Sequence, residues 1–150
     1  MRWNGLFDDL EAHWADLGWQ ETVAEAAELT RAEWMALSLA DRLRGARGRQ
    51  VRLHLAWGEV VDGVVHTVGQ GWVGVHVDGS GSAIVAVDCV AAVEADLTRA
   101  ALAPELAAAG WGTVLRGIAR TRQPVAVTGR LGAALAEGTV DRVGGDHLDL

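Results

Sequence analysis

Apolar residues open the chain at three- and four-residue steps: Trp3, Leu6, Phe7, Leu10, Trp14 and Leu17, with Asp8, Asp9, Glu11 and Asp16 on the other side. That spacing predicts an amphipathic helix. Gly18 interrupts it, and Val23, Ala27, Thr30, Trp34 and Leu37 continue the seam, so a helical hairpin and one long kinked helix both fit. A shorter helix is predicted from Ser38, with Asp41 three residues later completing a capping box and an end near Gly45 or Gly48. The period then changes to two. Val51, Leu53 and Leu55 alternate with Arg52, His54 and Ala56, Trp57 and Gly58 mark a tight turn, and Val60 to Val68, Trp72 to Val77 and Ala83 to Val87 read as further strands. Asp78, Gly79, Ser80 and Gly81 supply a turn, and Val90 to Val93 add a short fifth strand. Connections this brief leave no room for crossover helices. They predict an antiparallel meander closing into a barrel.

Pro104 opens another predicted helix, from about Glu105 to Arg120, and beyond it the chain echoes itself. Leu43, Arg44 and Gly45, followed by Arg47, Arg49, Gln50 and Val51, reappear as Leu115, Arg116 and Gly117, followed by Arg120, Arg122, Gln123 and Val125. With a one-residue gap, Gly58, Gly63, Val65, Val68 and Gly69 fall on Gly132, Gly138, Val140, Val143 and Gly144. The expectation is a partial second copy of helix, strand, turn and bent strand, too short to close a barrel unaided. The predicted fold class is therefore α+β, organised as an acidic tryptophan-rich helical arm over residues 1–37, a five-stranded antiparallel β-barrel over 38–96, and a helix plus partial repeat over 97–150.

Composition sharpens this picture in three places. All 13 positive side chains are arginine, which reads first as a genomic bias and weakens any argument from arginine abundance alone. The net charge of −7 is uneven: residues 1–41 hold nine acidic groups against Arg2 and Arg31, whereas the remainder holds equal numbers of each sign. A chain so balanced lacks the global field that gathers polyanions. Four of the seven tryptophans and the single phenylalanine lie in the arm, more aromatic surface than one helix can hide, so the arm is expected to pack on its own barrel, on a second copy or on a partner. Trp3, Phe7, Leu10, Trp14 and Trp34 are the candidate partner or dimer surface. No apolar run is long enough to cross a bilayer, and charged residues near Met1 leave no signal-peptide core, so a cytoplasmic address and no membrane are expected.

The stretch from Ser38 to Glu94 resembles the Sm and Sm-like superfamily of small SH3-like barrels, especially the bacterial Sm-like RNA chaperones. The likeness rests on the short leading helix, the alternating strand Val51 to Leu55, Gly58 in the turn, Glu59 to Gly63, and Val64 to Val77. The resemblance implies a five-stranded barrel in which a glycine, here Gly63, lets the second strand bend sharply. Separately, the incomplete second copy leaves unpaired strand edges, from which a homo-oligomer, dimer or ring, or a protein partner is expected. Sm-like RNA binders carry an acid or amide before the third strand and a basic motif between the last two. Here Gln70 stands at the first position, and Val85, Ala86, Val87, Asp88 and Cys89 offer no base at the second. The whole chain is also similar to a group of actinobacterial proteins sometimes labelled transcriptional regulators, although no helix-turn-helix signature accompanies the likeness.

Candidate chemistry is sparse. Arg42, Arg44, Arg47, Arg49 and Arg52 lead into the first strand, and Arg116, Arg120 and Arg122 repeat the theme. With Gln70 these first five are the candidate nucleic-acid contacts. The opposing reading pairs them with acids of the arm. His54, His66 and His76 lie on successive strands, where outward histidines are ordinary, and no ligand spacing marks a metal site. Cys89 has no basic neighbour in sequence and reads as a small apolar residue. The glycine-rich stretches join strand to strand, whereas a phosphate loop needs a helix behind it. The reading is thus a non-enzymatic interaction module with no catalytic residue, no metal, no cofactor and no small-molecule substrate; the alternative is a nucleic-acid-binding regulator.

Overall fold

The computed structural model describes residues 23–79, 81–101 and 109–150. The chain divides into two compact units, Met1–Leu37 and Ser38–Leu150. In the first, residues 23–36 form helix α1, with Ala27 half-buried and the rest exposed. The expected helix over Trp3 to Leu17 and its break at Gly18 lie outside the described residues.

Helix α2, Leu39–Gly45, opens the second unit with both halves of a capping box. The Ser38 hydroxyl accepts the Asp41 N–H at 3.2 Å, and the Ser38 N–H donates to Asp41 Oδ2 at 3.1 Å. These bonds satisfy donors that a helix start otherwise leaves open. Leu43 and Ala46 turn inward and are fully buried. Gly48 then takes a left-handed φ of 78° and redirects the chain into the first strand.

The Ser38 hydroxyl holds the Asp41 carboxyl below its ordinary value of 3.8, helped by the Ser38 N–H and the Arg44 charge and opposed by partial burial. A lowered folded-state value contributes stability that is fully present above the unfolded value and is lost as pH falls through the lower one. Asp41→Ala is therefore expected to cost about 1 kcal/mol at neutral pH, as a lost cap does. The gap to the parent protein should shrink once pH falls below 3.8, as measured by chemical denaturation across pH.

Five strands come next: β1 Gln50–Leu55, β2 Val60–Val68, β3 Trp72–Val77, β4 Gly81–Ala86 and β5 Val90–Glu94. They form one antiparallel sheet in the order β4-β3-β2-β1-β5. β1 alternates as its sequence demands, with Val51, Leu53 and Leu55 buried and Gln50 and Arg52 exposed. β2 serves two neighbours in turn. Its first part pairs with β1, Val51 opposite Gly63, and from Val64 onward it pairs with β3. A Cβ on Gly63 would collide with the His76 carbonyl of β3, so glycine is the residue that lets β3 lie this close over the bend. Leu43, Val51, Leu53, Val65, Val73, Val75 and Val85 make the core, with Val90 and Val93 of β5 packed against it.

The sheet curls without closing, and here the barrel expectation is corrected. Only the short 3-10 turn Val87–Cys89 separates β4, at one edge, from β5, at the other. Four peptide steps span at most about 14 Å, whereas the edges of a flat five-stranded sheet stand about 19 Å apart. The edges are thus drawn together, but no ladder joins them. Backbone groups at the seam are bonded elsewhere: the Val87 N–H donates to Gly71 O at 3.0 Å, and Cys89 O accepts the Ala56 N–H at 2.9 Å.

Beyond residue 109 come α3 Trp111–Thr121, β6 Pro124–Thr128, β7 Ala134–Thr139, β8 Arg142–Val143 and β9 Leu148–Asp149. α3 starts later than its sequence suggests, because Gly110 is an extended N-cap; residues 102–108 are outside the described residues. Two separate ribbons result, β6-β7 and β8-β9. Val125 pairs with Gly138 as Val51 does with Gly63. The Gly129 N–H bonds Ala133 O and the Gly132 N–H bonds Gly129 O, as Leu55 bonds Glu59 and Gly58 bonds Leu55. Gly144 bonds His147 as Gly69 bonds Trp72. The β6-β7 ladder carries a bulge at Val127/Thr128. Val140 is buried at 1% exposure, matching Val65.

Candidate functional site

The arginine cluster is dispersed by the fold. On the outer face of β1, Arg52 reaches Asp62 of β2 at 2.9 Å and Glu94 of β5 at 3.3 Å. Gln50 Nε2 donates to the same Asp62 at 2.7 Å, and His54 Nε2 lies 2.6 Å from Glu94. Hydrogen bonds from Gln50 and Arg52 hold the Asp62 carboxyl below its usual range, and Asp62 in turn raises the Arg52 guanidinium. Arg49 pairs with Asp96 at 2.8 Å, and Arg44 with Asp41 at 2.5 Å. Arg42 donates to Leu97 O at 3.4 Å and Arg47 to His66 O at 2.8 Å. The acids that take up Arg44, Arg49 and Arg52 thus come from residue 41 and from the sheet and its flank. The Arg49 and Arg52 pairs are exposed and stabilise the fold little, whereas Arg44–Asp41 is part-buried. Their consequence is electrostatic: Arg44, Arg49 and Arg52 each carry a carboxylate within contact distance, so the run in sequence does not become a row of open charges.

The echo behaves likewise in part. Arg122 pairs with Asp141 at 2.7 Å, while Arg116 and Arg120 stand exposed on α3. Arg130, in the β6-β7 turn, pairs with Asp88 beside the seam.

Gln70, the candidate base reader, uses its backbone for architecture. Its N–H donates to Ala109 O at 3.0 Å, and the Trp72 indole N–H donates to the same oxygen at 2.8 Å. Trp72 is buried at 4% exposure. Gly69 leaves room for its ring, since a Cβ there would collide with the indole. This staple, which fixes the chain ahead of α3 onto the β2-β3 turn, was not anticipated from sequence. Its signal was there: one large aromatic among Gly69, Gly71 and Gly74, in a stretch otherwise poor in side-chain volume.

The three histidines do not converge. His54 belongs to the ionic stripe, whereas His66 and His76 rim an open apolar groove of about 450 Å³ with Arg47, Gly48, Val64 and Val65. Among the described residues no group of three or more histidine, cysteine or acidic side chains could hold a metal ion, and no helix is long and apolar enough to cross a membrane. Cys89 is buried. Of the arm surface, Trp34 lies on α1 at 48% exposure; Trp3, Phe7, Leu10 and Trp14 lie outside the described residues.

The remaining candidate is backbone. Among the described residues β4 and β5 each present an outer edge, and β6 presents another, since its one ladder there is with β7. Unpaired N–H and C=O groups along a strand edge are a ready template for another strand. The chain matches no protein-family model, no curated protein and no solved structure.

Proposed function

We propose that this chain is a non-enzymatic interaction module of Sm-like type that assembles through its open strand edges, with the helical arm as a second docking surface. The observation that carries this reading is the open seam: β4 and β5 are drawn close by a three-residue turn yet remain edge strands. Edge strands left bare are normally covered in the assembled state. The short capped helix, the strand order β4-β3-β2-β1-β5 and the close approach at Gly63 support the Sm-like part of the reading. The corresponding bond patterns after residue 110 support a partial internal repeat.

Nucleic acid is the second reading, and the same geometry weighs against it. A phosphate-tracking face needs cations free of intramolecular acids. Arg44, Arg49 and Arg52 instead carry Asp41, Asp96, Asp62 and Glu94. Light scattering on the purified chain is expected to give a multiple of the 15.8 kDa protomer mass, with an ultraviolet absorbance ratio typical of protein alone. A protomer mass at every concentration would remove the assembly reading. Co-purified nucleic acid, lost steeply with salt, would install the alternative.

A further inference from the structure

Resting on the assembly reading, the structure assigns a specific self-contact: we infer that β6 pairs antiparallel with β6 of a second copy of this chain, Ala126 facing its own mate across a two-fold axis. The first half of the molecule shows the kind of strand that belongs beside this one. β1, whose following turn is bonded as the turn after β6 is, has β2 on one side and an antiparallel strand, β5, on the other. β6 has β7 on one side and, among the described residues, no ladder on the other.

The phase of that open edge can be read from the turn. The Gly129 N–H bonds Ala133 O, and antiparallel ladders alternate bonded and non-bonded pairs. Val127 and Val125 therefore bond toward β7, while Ala126 and Thr128 direct their amides outward. Pro124 shares the outward phase and has no N–H to offer, so the free edge is short and centred on Ala126. A two-fold pairing about Ala126 makes the two Ala126 residues exchange N–H···O bonds, and Pro124 then supplies only its carbonyl, to the Thr128 N–H of the second copy.

The chemistry of the edge suits a copy of itself. β5, the strand that fits beside β1, reads Val-Ala-Ala-Val-Glu and directs Val90 and Val93 toward the core. β6 reads Pro-Val-Ala-Val-Thr, with Val125 and Val127 half-buried and no charged residue to discourage pairing. Edge strands that stay single are usually blunted by charge. The pairing also completes an unfinished interior. Leu43, Val51 and Leu53 are fully buried in the first half, whereas Leu115, Val125 and Val127 are only half-buried, and α3 buries no residue completely. A joined sheet β7-β6-β6-β7 sets four valines side by side on one face. An identical patch on both partners gives a closed, isologous dimer.

Two variants of the full chain test this. Ala126→Pro deletes the central N–H while leaving the β6-β7 ladder its own donors; circular dichroism unchanged from the parent, with dimer dissociation raised at least about tenfold, is the expected result, one hydrogen-bonded pair and its neighbours being lost. Ala126→Cys places two thiols across a bonded pair whose Cα atoms stand about 5.5 Å apart, inside the range a disulfide spans. Mild oxidation should link it into dimers far faster than Ala136→Cys on β7, with Cys89 buried and silent. An oligomeric parent whose mass is unaffected by Ala126→Pro, together with equal cross-linking at 126 and 136, overturns the β6 contact and leaves assembly to the β4 and β5 edges. A parent that is monomeric at every concentration overturns both.

Discussion

Replacing Gly63 with alanine is expected to destabilise the sheet by about 3 kcal/mol, the upper end of the usual cost of overpacking. The added Cβ would meet the His76 carbonyl and sit 2.8 Å from Val75 Cγ1. Relief by moving β3 is costly, because β3 is laddered to β2 on one side and β4 on the other. On a domain of this size the loss corresponds to a fall in Tm on the order of 15 °C, read by thermal unfolding. The same chemical change has the opposite sign at Gly117, which lies inside α3 with nothing within 4 Å of an added Cβ. There alanine removes backbone freedom from the unfolded chain and should stabilise by about 0.5–1 kcal/mol. Opposite responses at the two positions separate close approach from glycine flexibility in general.

Trp72→Ala is expected to cost about 3–5 kcal/mol, as removal of a buried aromatic does. It also releases Ala109 O from the indole N–H, one of the two donors that tie the segment before α3 to the β2-β3 turn. Trp72→Phe keeps most of the packing and loses the bond, a cost nearer 1 kcal/mol. The two variants should differ in a second way. Limited proteolysis between residues 97 and 110 should accelerate strongly in the alanine variant and modestly in the phenylalanine one. Equal cleavage of all three proteins would mean that Trp72 stabilises the sheet without anchoring the segment ahead of α3.

Those parts of the fold governed by local rules were legible in the sequence. Ser38 and Asp41 announce the cap three residues apart, and both bonds form. Val51, Leu53 and Leu55 announce a strand with one buried face. Quantities set by distant partners were not legible. Arg52 meets Glu94 across 42 residues of sequence, so the sequence pointed to ion pairing with acids of the arm, whereas the acids that pair with Arg49 and Arg52 lie on the sheet and its flank. Gln70 offered an amide ahead of β3, and the bond of its backbone N–H to the Ala109 carbonyl was not foreseeable from its neighbours in sequence. Closure of the barrel also depends on a non-local balance: strand lengths and turns are compatible with it, yet β4 and β5 form no ladder with each other. The start of α3 at Trp111 comes from Gly110, whose extended backbone caps it.

The most direct test is the pattern of cross-strand contacts in dilute, monomeric protein by nuclear Overhauser spectroscopy. A close Hα–Hα pair is expected between Leu53 and Val93, where β1 and β5 face each other between their hydrogen bonds. None is expected between any residue of β4, Gly81–Ala86, and any residue of β5, Val90–Glu94. A ladder of β4–β5 contacts in the single chain would close the barrel, consume the edges on which the proposed assembly depends, and contradict the open seam.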